Sequence, residues 1–188
     1  KYGLEKSIFG NLSSKDFTTF SKDLPWLDRP DAKQKLHLNS DFQAFNVQTQ
    51  EQIINFIDNG YMVLKGFHND TKVGALNQDI DRLLHKKKTN FNYTGKKIME
   101  ANLLSTTADK DFFRNKRLLK LLRFIMGKEI VPFHTINFIE GSEQRAHSDF
   151  IHMTTEPRGY LVAAWTALED CHEGNGPLFF YPGSHRLP

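Results

Sequence analysis

Apolar residues recur at helical spacing three times in the first two-thirds of the chain, and then the period changes. Ile53, Ile54, Phe56 and Ile57 form one apolar face, and Gly60 is placed to end that helix. Thr49, with Gln52 three residues on, resembles a capping box at its start. Asp70 is positioned to cap a second helix bearing Val73, Leu76, Ile80, Leu83 and Leu84. A third helix is predicted over residues 108–126, with Phe112, Phe113, Leu118, Leu119, Leu122 and Ile125, ended by Gly127. Residues 61–67 read as a short buried strand between the first two helices. Beyond Gly127 the pattern predicts strands over 130–139, 144–151, 159–168 and 178–181, with a turn at Glu140-Gly141-Ser142 and a loop over 170–176. The run 159–168 is continuously apolar, as in a strand buried on both faces. Helices first and strands later argue an α+β fold.

The first 48 residues do not follow this pattern. They are polar and irregular, and are read as an extended N-terminal segment, with the domain proper over 49–188. Pro25-Trp26-Leu27-Asp28-Arg29-Pro30 is a stretch pinned by two prolines, with Trp26 expected to anchor it.

Length and composition narrow the class. A chain of 188 residues fits one domain. Apolar content of 39% and charged content of 25% are those of a soluble globular protein. The 16 phenylalanines read first as core filling and second as a ligand pocket. A net charge of +3 is too weak to argue a nucleic-acid partner, and the run His85-Lys86-Lys87-Lys88 reads as a solvated helix terminus. No apolar run reaches the roughly 18 residues of a membrane span, so no membrane partner is expected. Cys171 is the single cysteine, which rules out a disulfide within the chain and favours a reducing, cytoplasmic location. The opening Lys1 suggests processing or clipping. Phe91 and Tyr93 with Lys96 and Lys97 read either as a plain surface loop or as a lid over an anionic substrate.

Candidate chemistry centres on His147-Ser148-Asp149. Side chains two apart on a strand share a face, so an imidazole nitrogen and a carboxylate oxygen can meet one metal ion. Alone, the pair reads equally well as a hydrogen-bonded surface pair. A facial triad needs a further histidine. His152 falls on the opposite face of a regular strand. His134 can lie across a hairpin, although a packed or hydrogen-bonded histidine is the simpler reading. Cys171, His172 and Glu173 lack zinc-site spacing.

The surroundings of the pair carry a resemblance. His147-Ser148-Asp149, Ala163-Ala164-Trp165-Thr166-Ala167-Leu168, Asn175-Gly176-Pro177-Leu178 and Pro182-Gly183-Ser184-His185 together resemble the phytanoyl-CoA dioxygenase family. The stretch from Phe56 to Gly66 and the Pro25–Pro30 segment are similar to it as well, so the resemblance covers most of residues 25–188. It implies a double-stranded β-helix, a cupin-like jelly-roll with helices packed outside, incomplete in this chain. It also implies an Fe(II)- and 2-oxoglutarate-dependent dioxygenase that hydroxylates an aliphatic C–H bond of a small-molecule substrate with O2, giving succinate and CO2. By position, His147 and Asp149 match the first two iron ligands. Trp165 matches a residue near the 2-oxoglutarate pocket, Ile136 a strand position lining it, and Asn102 a polar co-substrate contact. His185 matches a structural turn. The family's third ligand, a histidine, and its 2-oxoglutarate-binding arginine follow that turn by tens of residues, whereas the sequence stops at Pro188. The chain is therefore expected to be an N-terminal portion of such an enzyme, inactive and poorly stable by itself, with exposed strand edges. The competing readings are a non-catalytic jelly-roll binding module, a decayed fragment, and an ordinary α+β domain with a hydrogen-bonded His–Asp pair.

Overall fold

The computed structural model describes residues 24–141, 144–149, 153, 155, 157 and 159–186. The expectations for residues 1–23, for Ser142, for His152 and for the end of the strand over 144–151 lie outside the described residues. Five α-helices are described, α1 (Ala32–Leu36), α2 (Ser40–Gln43), α3 (Val47–Asn59), α4 (Asp70–His85) and α5 (Lys116–Met126). Three short strands, β1 (Asn90–Phe91), β2 (Lys97–Met99) and β3 (Ile136–Phe138), form an antiparallel sheet in the order β1-β2-β3. The class is α+β, with the helices preceding most of the irregular C-terminal third. No helix among the described residues is long and apolar enough to cross a membrane.

The larger core joins α1, α2, α3 and α5. Leu27, Leu36, Ile53, Ile57, Phe124 and Ile125 are buried in it. Phe124 is its hub. The ring of Trp26 stands edge-on to it at 5.1 Å, Phe45 does so at 5.2 Å, and Phe42 stacks at 6.4 Å. The Trp26 indole N–H donates to the Phe124 carbonyl. Trp26 also closes over Gly127, where a Cβ would lie 2.7 Å from Trp26 Cδ1. The 24–48 stretch is thereby corrected from extended to mostly helical. Trp26–Asp28 forms a 3-10 turn, and α1 and α2 follow. The reason is local as well as tertiary: the Asn39 side chain accepts from the Asp41 and Phe42 amides and starts α2, whose Phe42 then enters the core.

The smaller core lies between α4 and the sheet. Leu76 and Ile80 meet Ile98, Ala101 and Ala108, with Leu84, Phe112 and Leu168 against them. Asn77 Nδ2 donates to the Leu168 carbonyl, which ties the 160–168 segment to α4.

Three helix starts differ from the sequence reading, and each is taken by an asparagine. Asn46 accepts from Thr49 N, Asn69 from Lys72 N, and Asn115 from Leu118 N. Gln52 does not close a capping box; its Oε1 accepts from Val63 N. That bond replaces a strand ladder, so residues 61–67 are not a strand. The helix expected over 108–126 is broken into a π-helical turn (Ala108–Phe113) and α5. Asn115 causes the break, because its side chain bonds the Asp111 carbonyl as well as the Leu118 amide and competes with the helical ladder. The expected ends hold: Gly60 at φ 80° and Gly127 at φ 65° both take the left-handed cap.

The later strands are mostly corrected too. Of 130–139 only Ile136–Phe138 pairs. Among the described residues, 144–149, 159–168 and 178–181 form no ladder, and the middle of 159–168 is exposed rather than buried on both faces. Extended chain becomes strand only where a neighbour takes its N–H and C=O groups. Conversely, β1 and β2 form a hairpin through Gly95 at φ 74°, where the sequence suggested a loop.

One pH dependence arises just ahead of α4, at His68. His68 stacks on Phe112 at 4.3 Å. Burial holds its pKa below the ordinary 6.5, helped by Lys72 and Arg117 and opposed by Asp111. The folded protein thus binds this proton less tightly than the unfolded chain does. Stability is full above pH 6.5 and declines as pH falls through that value. Denaturant melts at stepped pH should show this decline, and His68→Phe should flatten it; an unchanged slope would refute the assignment.

Candidate metal centre and its neighbouring sheet face

His147 and Asp149 meet without a strand. The chain over 144–149 bends instead, yet His147 Nε2 lies 3.5 Å from Asp149 Oδ1. Two donors each about 2 Å from one ion have a separation of this order. His147 Nδ1 lies 2.7 Å from the Arg145 carbonyl, which can only accept. Nδ1 therefore carries a proton, and Nε2 is the ring nitrogen that faces the carboxylate. A backbone carbonyl behind a ligating imidazole is the usual way its tautomer is set. Both side chains reach solvent, at 28% and 51% exposure, so an ion has access. The donor set, one imidazole nitrogen and one carboxylate oxygen, fits two positions of an Fe(II) site. Among the described residues no group of three His, Cys, Asp or Glu side chains is placed to share an ion.

Three other histidines have partners elsewhere. His134 Nδ1 bonds the Glu100 carboxylate. His172 caps the 3-10 turn Glu173–Asn175 by accepting from Gly174 N at 3.1 Å. His185 stands against Gly60, where a Cβ would collide with its ring. Around it, Gly183 N donates to the Asn59 carbonyl at 3.0 Å and Arg186 Nη2 to the Ile57 carbonyl at 2.6 Å. The turn over 182–186 thus satisfies carbonyls at the C-terminus of α3. Asp28 is part of this junction. Burial pushes its carboxyl up, while His185 and Arg186 draw it down.

The sheet beside this centre has two different faces. Phe91, Ile98 and Asn137 are in register on one, and Ile98 is fully buried against α4. Met99 with Ile136, and Lys97 with Phe138, are in register on the other. That second face is open: Ile136 is 37% and Phe138 40% exposed. Lys97 Nζ lies 5.0 Å from the centre of the Phe138 ring and 3.1 Å from Gln144 Oε1, three residues before His147. Lys96 is paired with Glu140 at 3.2 Å, and Tyr93 is fully exposed at the hairpin tip. Asn102 is joined to the same end of the sheet as Ile136, because Thr135 Oγ1 donates to Asn102 Oδ1 at 2.7 Å. Trp165 is half-exposed and makes no hydrogen bond or ring contact among the described residues. The structure therefore brings Asn102 and Ile136 together and adds Lys97 to them. Lys97, read from the sequence with Lys96 as part of a surface loop or a lid over an anionic substrate, lies instead on β2, where the period-two run Lys97-Ile98-Met99 pairs with β3.

The family model for Phytanoyl-CoA dioxygenase (PhyH) matches residues 56–188. The peroxisomal phytanoyl-CoA dioxygenase of Bos taurus is 25% identical over 166 residues, which is 76% of this chain and 49% of that protein. The human protein of the same name is 25% identical over 164 residues, 75% of this chain and 48% of its own length. The ectoine dioxygenase of Halomonas elongata is 28% identical over 181 residues, 88% of this chain and 53% of its own. The chain spans about half the length of these curated relatives. No solved structure matches it. A match over well over half of the chain, taking in the His147–Asp149 pair and the turn that closes on α3, shows that the chain belongs to the phytanoyl-CoA dioxygenase family.

Proposed function

We propose that this chain is the portion of an Fe(II)- and 2-oxoglutarate-dependent dioxygenase that carries the first two iron ligands, His147 and Asp149. The enzyme hydroxylates an aliphatic C–H bond of a small molecule, with succinate and CO2 as co-products. The observation that carries the reading is the His147–Asp149 pair, with Nε2 and Oδ1 3.5 Å apart and the imidazole tautomer held by Arg145 O. The third histidine and the carboxylate-binding arginine are assigned to sequence beyond Pro188.

Iron, when bound, supplies the activation of O2. The chain's own residues do the rest. His147 binds through Nε2 and Asp149 through Oδ1. Met99, Ile136 and Phe138 form an apolar wall that keeps water from a bound co-substrate. Lys97 places an ammonium over that wall, suited to a carboxylate. Asn102 offers an amide at its end, and Trp165 is assigned to the co-substrate pocket by its position in the family pattern alone.

The test is the protein extended to the length of its relatives, given Fe(II), 2-oxoglutarate and O2. Succinate formation that needs all three supports the reading; its absence in folded, iron-loaded protein refutes it. Lys97→Met should raise the KM for 2-oxoglutarate about tenfold or more, the worth of one charge-assisted hydrogen bond, and change kcat little. An unchanged KM would remove Lys97 from the site. A second reading, a binding module that keeps the fold without the chemistry, is favoured by the lack of a third ligand among the described residues. It predicts a folded full-length protein that binds no iron.

A further inference from the structure

Glu100 has a backbone conformation that its side chain does not favour. Its φ is 57°, and among the described residues Lys87 is the other non-glycine with positive φ. Lys87 lies just past the C-terminus of α4, where left-handed geometry is ordinary. Glu100 instead follows the last residue of β2 directly and precedes the turn Ala101–Leu103. Glycine would take this position at less cost. Strained residues persist where several contacts fix them together, often near functional sites.

The contacts here are specific. Glu100 N donates to the Thr135 carbonyl at 3.0 Å, one step past the Met99–Ile136 pair. The Glu100 carboxylate bonds His134 Nδ1, and both side chains are 28% exposed. The left-handed turn also brings Asn102 round to Thr135, whose hydroxyl donates to Asn102 Oδ1. Glu100 and Asn102 therefore grip His134 and Thr135, the two residues that lead into β3 at Ile136. The strand itself is only three residues long and pairs with β2 alone among the described residues. So short an edge strand frays unless its end is held.

We infer that Glu100 and His134 are a positioning pair that holds the start of β3, and so sets where Ile136 and Asn102 stand for a dicarboxylate co-substrate on the open sheet face. The inference rests on the co-substrate reading proposed above. Neither residue is placed against the co-substrate, and neither is a ligand of the metal.

The two roles of Glu100, strain and grip, can be separated. Glu100→Gly relieves the left-handed strain and deletes the carboxylate. Glu100→Gln keeps an acceptor for Nδ1–H. Each variant of the full-length protein is compared with wild type by thermal melting, by the ring 15N shifts of His134 without metal or co-substrate, and by titration of 2-oxoglutarate onto the iron-loaded protein. The wild-type ring should carry its proton on Nδ1, and Glu100→Gly should lose that preference. Glu100→Gly should melt no lower than wild type and yet bind 2-oxoglutarate about tenfold more weakly, within the 100-fold that a misplacement of ~1 Å can cost. Glu100→Gln should recover most of the affinity. Equal affinity in wild type and Glu100→Gly overturns the pair's role while leaving the co-substrate reading intact. A wild-type ring protonated on Nε2 alone overturns the pair itself. A folded, iron-loaded wild type that binds no 2-oxoglutarate overturns the co-substrate reading, and this inference with it.

Discussion

Replacing His147 or Asp149 with alanine in the full-length protein should abolish iron-dependent turnover and leave the fold intact. The two side chains are exposed at 28% and 51%, so neither supports a core, and their loss opens no cavity. What would be lost, on the function proposed above, is one of the few donors that hold the ion. Altering residues that merely orient a ligand typically weakens metal affinity about 10–100-fold, so removing a ligand should reach or exceed the upper end. The measurement is iron stoichiometry after gel filtration, with succinate formation alongside. Nδ1 of His147 donates to a backbone carbonyl, a bond that no side-chain substitution elsewhere removes. His147→Gln, which lacks a ring nitrogen at Nε2, should therefore be nearly as damaging as alanine. Iron bound at full stoichiometry by His147→Ala would show that the pair is no metal centre.

The second large effect concerns stability. Phe124→Ala should cost about 3–5 kcal/mol, the range for truncating a buried aromatic residue. Phe124 is 9% exposed and receives three aromatic rings, from Trp26, Phe42 and Phe45. These rings arrive from two pieces of chain, the turn at Trp26 and the stretch around the end of α2 that bears Phe42 and Phe45, so the cavity would sit where they converge on α5. The backbone carbonyl of residue 124 would still accept from the Trp26 indole, which should keep the N-terminal segment attached. A urea melt gives the magnitude. A loss under about 1 kcal/mol, as for an ordinary surface substitution, would mean that the convergence is not a core.

Much of the helical layer was legible from local rules. Gly60 and Gly127 stop their helices because the left-handed cap is cheapest for glycine, a property of one residue and its neighbours. The apolar face of α3 reads correctly for the same reason, since Ile53 and Ile57 are a turn apart and both are buried. Helix starts read less well. Thr49 and Asp70 are sound cap types, and so are Asn46 and Asn69; which side chain accepts depends on the direction from which the chain approaches. The break at Asn115 escaped the periodicity because Phe112, Phe113, Leu118 and Leu119 keep an apolar count through it. Strands read worst. Residues 159–168 and 178–181 have strand composition, but a ladder needs a partner, and partnership is not written in the segment itself.

The sequence by itself determined the motifs: His147 and Asp149 as candidate nitrogen and oxygen donors, the Pro182–His185 turn, and the family to which they belong. These depend on residue identity and short spacing, which survive without knowing the fold. Only the tertiary structure decided that His147 turns Nε2 towards Asp149, that Lys97 lies over an open apolar face beside Gln144, and that Glu100 holds His134 at the mouth of β3. Each of these joins residues distant in sequence, or depends on a backbone direction that no local preference sets. A hydrogen bond's partner is chosen by where the whole chain has gone.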